Sequence, residues 1–368
     1  MYDSDECIRR YNELEHGKAR IEGIYDAIKQ ADENNDVPFQ LYFRLMLCYE
    51  SCFYWDKLDM FVIFPQVLAL IDKYPDAPCT KYYSGEKMLP HVMWDYKWLL
   101  VDCTDFYQIP MEDCLKFYED FKRRSIECGY SLRSYYRSMF YFYENIDKEK
   151  AEAAFYAFEK EPRDENSDCR ACERNTQIRF YLKNGGFDRA EELAKDIESF
   201  NLRCGGGDRY WAWGNMKLDY LQYYINNGNL EKALEYCRIL ERRKDLCNKL
   251  EVWDDLICCY AYADLGKALR YYKQCWKRFQ EDRNPRAIFR ESRKMSIFFK
   301  RLSEGRKKTT VKLNLDSSFP LYREDGEYRI DELQDYYYRR AYDVAVKLDE
   351  RNGCGYYVEM LGKEPEFT

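Results

Sequence analysis

The sequence predicts an all-α protein of antiparallel helix pairs, with a small mixed region near its C-terminal end. Three observations carry this expectation. Long segments with apolar residues at helical spacing follow one another along the 368-residue chain. Breakers punctuate them, among them Asn34-Asn35, Pro75-Asp76-Ala77-Pro78, Glu161-Pro162, Gly185-Gly186 and Asn284-Pro285. Period-two alternation is confined to residues 309–315. Hydrophobic residues make up 46% and charged residues 34%, a balance that supports a packed core and argues against disorder.

Taken in order, residues 5–35 read as one amphipathic helix or two, ending before Pro38. Residues 39–54 are strongly apolar and helical, and 58–73 form their partner, with Pro65 either kinking that helix or marking its true start. Residues 86–103 and 110–128 make the next pair, Pro110 suiting a first helical turn. Residues 131–145 and 147–160 make another. Residues 170–184 lack proline and glycine, Ser167 or Asp168 is placed to cap them, and Gly185-Gly186 ends them. The helix after that turn, 187–200, carries Ala190, Leu193, Ala194 and Ile197 on one stripe. So short a turn makes the two helices antiparallel, which brings Cys204 back toward Cys169 and Cys172. Residues 210–227 with 229–244, and 249–263 with 265–281, continue the pattern. A basic helix over 286–303, a short strand within 309–315 and a final helix over 331–351 complete it. The expected division is a helical array over 1–283 and a capping region over 284–368.

An alanine recurs at Ala151, Ala190, Ala233 and Ala268, at intervals of 39, 43 and 35 residues. Nine residues before each stand Phe142, Tyr181, Tyr224 and Cys259; four after stand Phe155, Ala194, Cys237 and Tyr272. Gly185 and Gly228 both lie five residues before their alanine. The stretches Gly185-Gly186-Phe187-Asp188-Arg189-Ala190 and Gly228-Asn229-Leu230-Glu231-Lys232-Ala233 carry the pattern best. It resembles the tetratricopeptide repeat over about residues 135–282, with two intervals longer than the usual ~34 residues. The tryptophan, leucine and glycine usual in the first helix of that repeat are missing. The resemblance implies a right-handed α-solenoid whose first helices line a concave face. Counting back from the alanines, it places Asn175, Arg179 and Lys183 on one such helix and Gln222 and Asn226 on the next. These are the candidate partner-binding residues. The implied function is noncatalytic binding of a protein or peptide segment; the alternative is a regulatory sensor whose groove takes a signalling peptide or small ligand.

The sharpest chemical motif is Cys169-x-x-Cys172 with Cys204. Tetrahedral zinc favours thiolates, and the fold-back supplies a third to the pair. Asp208 or Asp168 would supply an oxygen as the fourth ligand. The Asp168-Cys169-Arg170-Ala171-Cys172-Glu173-Arg174-Asn175 stretch also resembles uncharacterised bacterial repeat proteins in which a third cysteine and a nearby histidine are expected. Here Asp208-Arg209 stands about where that histidine would be. Three readings stay open: structural zinc, packed or hydrogen-bonded thiols, and a redox pair. The last lacks the strand that leads into a thioredoxin-type motif.

Net charge is −7, which argues against nonspecific nucleic-acid binding by the whole surface. The acidic Met1-Tyr2-Asp3-Ser4-Asp5-Glu6 lacks the basic and apolar regions of an export signal, and no apolar run is long enough to span a membrane. A cytoplasmic setting with reduced thiols is therefore expected for the sixteen cysteines. The rich aromatic content (36 tyrosines, 21 phenylalanines, 7 tryptophans) reads as helix packing. Catalysis is not expected, since His16 and His91 stand near no obvious nucleophile or carboxylate motif. Asp254-Asp255 reads as an ordinary charged surface. So does the basic run Arg286, Arg290, Arg293, Lys294, Lys300, Arg301, Arg306, Lys307 and Lys308. Gly205-Gly206-Gly207 follows a helix rather than a strand and reads as a linker, not a phosphate cradle.

Overall fold

The computed structural model describes residues 2–205, 208–305 and 309–367. It is 71% helical, with one two-stranded hairpin among the described residues, so the all-α class holds. The chain divides into two compact units, residues 1–167 and 168–368. The sequence placed its boundary at 283/284 instead. No break in the core occurs there, because apolar residues on both sides of 284, from Leu221 to Tyr337, form one buried cluster.

The first unit contains α1 (Ser4–Asn12), α2 (Lys18–Glu33), α3 (Val37–Tyr54), α4 (Met60–Lys73), α5 (Leu89–Asp102), α6 (Met111–Glu127), α7 (Arg133–Tyr143) and α8 (Lys148–Lys160). Each packs on the next in the chain, and α5 also touches α7. The residues expected as one helix or two before Pro38 are two. The carboxylate of Asp3 starts the first by accepting from the N–H groups of Asp5 and Glu6. Helix α3 lies against both α2 and α4, which is why it is apolar on more than one face. Its Arg44 is buried along its stem, and the guanidinium reaches Asp32 through two hydrogen bonds of 3.0 and 2.8 Å. Pro65 lies inside α4 rather than at its start. One continuous apolar core runs from Cys7 to Phe142.

The second unit contains α9 (Arg170–Lys183), α10 (Phe187–Glu198), α11 (Trp211–Asn226), α12 (Leu230–Glu241), α13 (Lys244–Leu250), α14 (Trp253–Ala263), α15 (Leu265–Glu281) and α16 (Pro285–Glu304). The hairpin of β1 (Thr310–Lys312) and β2 (Glu327–Arg329) follows, and then α17 (Ile330–Asn352) and α18 (Tyr356–Leu361). The strands are antiparallel, with Val311 opposite Tyr328 and both side chains buried. Helix α14 packs against α12, α15 and α16, and α16 against α17.

The paired helices are joined by one repeated device. After α9, Gly185 takes φ +78° and the N–H of Gly186 donates to the Tyr181 carbonyl at 2.8 Å. After α11, Gly228 takes φ +69° and the N–H of Asn229 donates to the Tyr224 carbonyl at 2.9 Å. Both are glycine-terminated Schellman turns, in which a left-handed residue closes the helix. Ala190, Ala233 and Ala268 are fully buried on the second helices, and Ala151 nearly so. So are Phe155, Cys237 and Tyr272 one turn later. A small side chain at such a position lets two helix axes approach closely.

Candidate metal centre

Helix α9 begins at the thiol motif. Cys169 is its N-cap, not Ser167 or Asp168: the backbone ahead of the helix is extended there (φ −59°, ψ 150°), and its sulfur accepts from the Cys172 N–H at 3.4 Å. Arg174 on α9 pairs with Asp196 on α10 at 3.0 Å and holds the hairpin shut. Beyond α10 the chain turns back at Phe200, which takes φ +58°, and the Leu202 N–H donates to the Asp196 carbonyl. Cys204 is thereby delivered to the start of α9.

The sulfurs of Cys169, Cys172 and Cys204 all lie within 4.8 Å of one another. The Cys172 and Cys204 sulfurs are 3.8 Å apart. A tetrahedron of zinc–thiolate bonds, each about 2.3 Å, has sulfur–sulfur edges of roughly 3.8 Å. The cluster is partly exposed, so an ion can reach it. The Cys172 thiol donates toward Cys169 and stabilises its thiolate, and the backbone N–H groups of Cys172 and Gly205 and the Cys204 thiol add to this. Together they outweigh burial and pull the Cys169 thiol down to about 5. Donors that converge on one sulfur favour the deprotonated form that binds metal. Three such thiols at these distances could hold a metal ion.

The fourth position is not filled by the carboxylates the sequence offered. Neither Asp208 nor Asp168 belongs to the group of mutually close ligand atoms among the described residues. The Asp208 carboxylate instead accepts from the Tyr210 N–H at 3.0 Å, opening the turn into α11. Asp168 is buried. Gly206 and Gly207, between the triad and Asp208, lie outside the described residues.

The candidate partner-binding residues do not share one exposed face. Asn175 is buried, and its amide donates to the Ala212 carbonyl at 2.7 Å, tying α9 to α11. Arg179, one turn on, points the same way and meets Asp219 of α11 at 3.4 Å. Lys183 and Asn226 are exposed and Gln222 is intermediate. Counting from the alanines therefore found the side of α9 that packs on its neighbour.

Asp254 and Asp255, and Lys294 of the basic run, are buried rather than solvated, while Arg286, Arg290, Arg293, Lys300 and Arg301 are half-buried. Asp254 and Asp255 on α14 are 0% and 2% exposed, and Lys294 of α16 sits between their carboxylates, 3.0 Å from Asp254. Arg290 adds a 3.0 Å contact to Asp254. Burial opposes ionisation of Asp254, but Arg290 and Lys294 overcome it and hold this carboxyl below its usual range. Burial raises Asp255 and Glu291, and the Oε2 of Glu291 finds no hydrogen-bond partner among the described residues. The signal lay in α14 itself: a helix whose residues are apolar all round is central, so any charge on it is buried as well. Arg306, Lys307 and Lys308 lie outside the described residues. The histidines also have partners. His16 Nδ1 is 2.9 Å from buried Glu50, which accepts from the Gly17 N–H too, and His91 Nε2 is 2.7 Å from the Ser84 carbonyl.

No protein-family model matches the sequence, and no curated protein shows significant similarity to it.

Proposed function

We propose that this protein is a noncatalytic binding protein that holds a protein or peptide segment on an array of helix pairs. In this reading the pairs stack as a right-handed solenoid of the tetratricopeptide kind, and the thiol triad carries a structural zinc ion that staples the open end of the α9–α10 hairpin. The observation that carries the binding reading is an open apolar groove of about 570 Å³ in the first unit, between the ends of α4 and α6. Leu58, Phe61, Val62, Ile109, Pro110 and Phe117 line it. Val62 is 65% exposed, although it stands in a strongly apolar helix. Apolar side chains left in water around a concavity mark a binding surface. Asp113, paired with Lys116 at 2.8 Å, stands at the rim and supplies polar orientation. The reading places the chain in a reducing, cytoplasmic setting, where its sixteen cysteines remain thiols. No helix is long and apolar enough to cross a membrane among the described residues.

The test is retention of proteins from native extract on the immobilised chain and on its Val62→Glu variant. Proteins held by the unaltered chain and lost by the variant, with helical circular dichroism unchanged, are the expected result. An identical set retained by both would remove the groove as the binding site.

A further inference from the structure

The non-helical residues after α18 are held against the second unit in the way a receptor holds a peptide. Arg293 of α16 donates to one of their backbone carbonyls, Lys363 at 2.5 Å, and to the Met360 carbonyl in the last turn of α18 at 2.6 Å. Two turns further along α16, Lys300 pairs with the Glu364 carboxylate at 2.6 Å. The Phe367 ring meets Tyr262 of α14 edge-on, with centroids 4.8 Å apart. Gly228 completes the seat. A β carbon there would collide with the Glu366 carbonyl, so the absent side chain is what lets the segment approach the turn between α11 and α12.

The contacts divide by kind. Arg293 reads backbone and is indifferent to sequence; Lys300 selects a carboxylate; Tyr262 selects an aromatic ring three residues further on. Beside Tyr262 opens a cavity of about 310 Å³ lined also by Leu265, Arg301 and Glu304. Two buried donors at that cavity, the Tyr262 hydroxyl and Arg301 Nε, have no hydrogen-bond partner among the described residues. A buried donor left unmade is costly, so the site has polar capacity that residues 362–367 do not use. The internal occupant is also weakly fastened. Gly362, Lys363, Glu364 and Glu366 are exposed, and an exposed ion pair such as Lys300–Glu364 contributes little against the entropy of ordering the segment.

We propose that Gly228, Tyr262, Arg293, Lys300 and Arg301 form a peptide-docking site. It takes, from a partner protein, a non-helical segment with a carboxylate three residues before an aromatic ring, and residues 362–367 are its displaceable internal occupant. This rests on the binding reading above but places a second site in the other unit. It explains why α16 carries cations on the face that meets the segment.

The experiment uses the full chain and a fluorescein-labelled peptide of residues 360–367, followed by fluorescence anisotropy. Glu364→Ala with Phe367→Ala loosens the internal occupant and should raise affinity for the peptide at least tenfold. Adding Lys300→Glu or Tyr262→Ala should return binding to the level of the unaltered chain. A folded double variant that binds no more tightly than the unaltered chain overturns the proposal. So does a double variant that fails to fold, since the segment would then be a fixed part of the core. In the unaltered chain, excess peptide should speed amide exchange across residues 363–367; unchanged exchange also overturns it. Val62→Glu should leave peptide binding intact. Partner loss in that variant, with no peptide binding in any form, would sink this site and leave the first-unit groove standing.

Discussion

The two units bury charge in different ways. In the first, Arg44 and Arg124 reach out to the partly exposed carboxylates of Asp32 and Asp72, and three other buried charges hold backbone. Arg133 donates to the Phe158 and Glu161 carbonyls at 2.8 and 2.7 Å, Lys97 to the Asn166 carbonyl at 2.9 Å, and Glu50 accepts from the Gly17 N–H at 2.7 Å. In the second, Asp254, Asp255, Lys294 and Arg290 hold one another across α14 and α16. The first arrangement fastens connecting segments to helices. The second fixes one helix against another, because sliding α16 by a turn would strand Lys294 in apolar surroundings. Buried pairs of this kind add little net stability compared with apolar packing, but removing one partner is costly.

That asymmetry gives the largest expected effect. Lys294→Met should destabilise the second unit by about 3–5 kcal/mol, because two adjacent carboxylates lose the ammonium between them. Adding Asp255→Asn should recover part of the loss. Arg133→Met in the first unit should cost only about 1–3 kcal/mol, since its partners are carbonyls. Urea unfolding followed in each unit measures both, and equal costs would erase the distinction.

A smaller effect is expected at the thiol triad. Zinc present at a hundred times its dissociation constant would contribute about 2.7 kcal/mol. Chelation should then lower the thermal midpoint of the second unit by roughly 5–10 °C. Metal analysis of protein made without a histidine tag should find about one zinc per chain, lost in Cys172→Ser. Metal-free protein with an unchanged midpoint would reduce the triad to packed thiols.

The smallest effect concerns Asp95 in the first unit, where Lys97 only partly offsets burial. Burial pushes this carboxyl from 3.8 up to about 7. Below about pH 3 both folded and unfolded forms are protonated. Between there and about pH 7 the unfolded form releases its proton while the folded form keeps it, so stability falls as pH rises through that window. Asp95→Asn should gain stability at pH 8, by well under the roughly 4 kcal/mol that three pKa units represent because this side chain is only partly buried, and almost nothing at pH 3. A gain that does not change with pH would show that the asparagine acts by packing alone.

Helix positions were legible because breakers and apolar spacing are local signals. The ends of α9, α11 and α17 follow from Gly185, Gly228 and Gly353. Short elements were not legible. Helix α13 has seven residues and β2 has three, too few for a period to emerge, and β2 is defined only by its partner Val311 across the hairpin. The thiol triad was legible because antiparallel helices return the chain to its starting point. The fourth position was not, since it depends on a loop that carries no periodic signal. Asn175 and Arg179 were misplaced because helical spacing says which residues share a face and not what that face meets. Asp254 and Asp255 were misread by composition, although Leu256, Ile257, Cys258 and Cys259 beside them left no side of the helix for water.

That helix has a bearing on time as well as on stability. With every residue from Trp253 to Ala261 buried, α14 has no flank from which it can fray or peel away. Its interior amide hydrogens can leave only when α12, α15 and α16 come apart around it. The protons of Leu256 to Tyr260 are therefore a clock for the whole second unit: they exchange at the rate of complete opening, while the ends of the same chain exchange many times over.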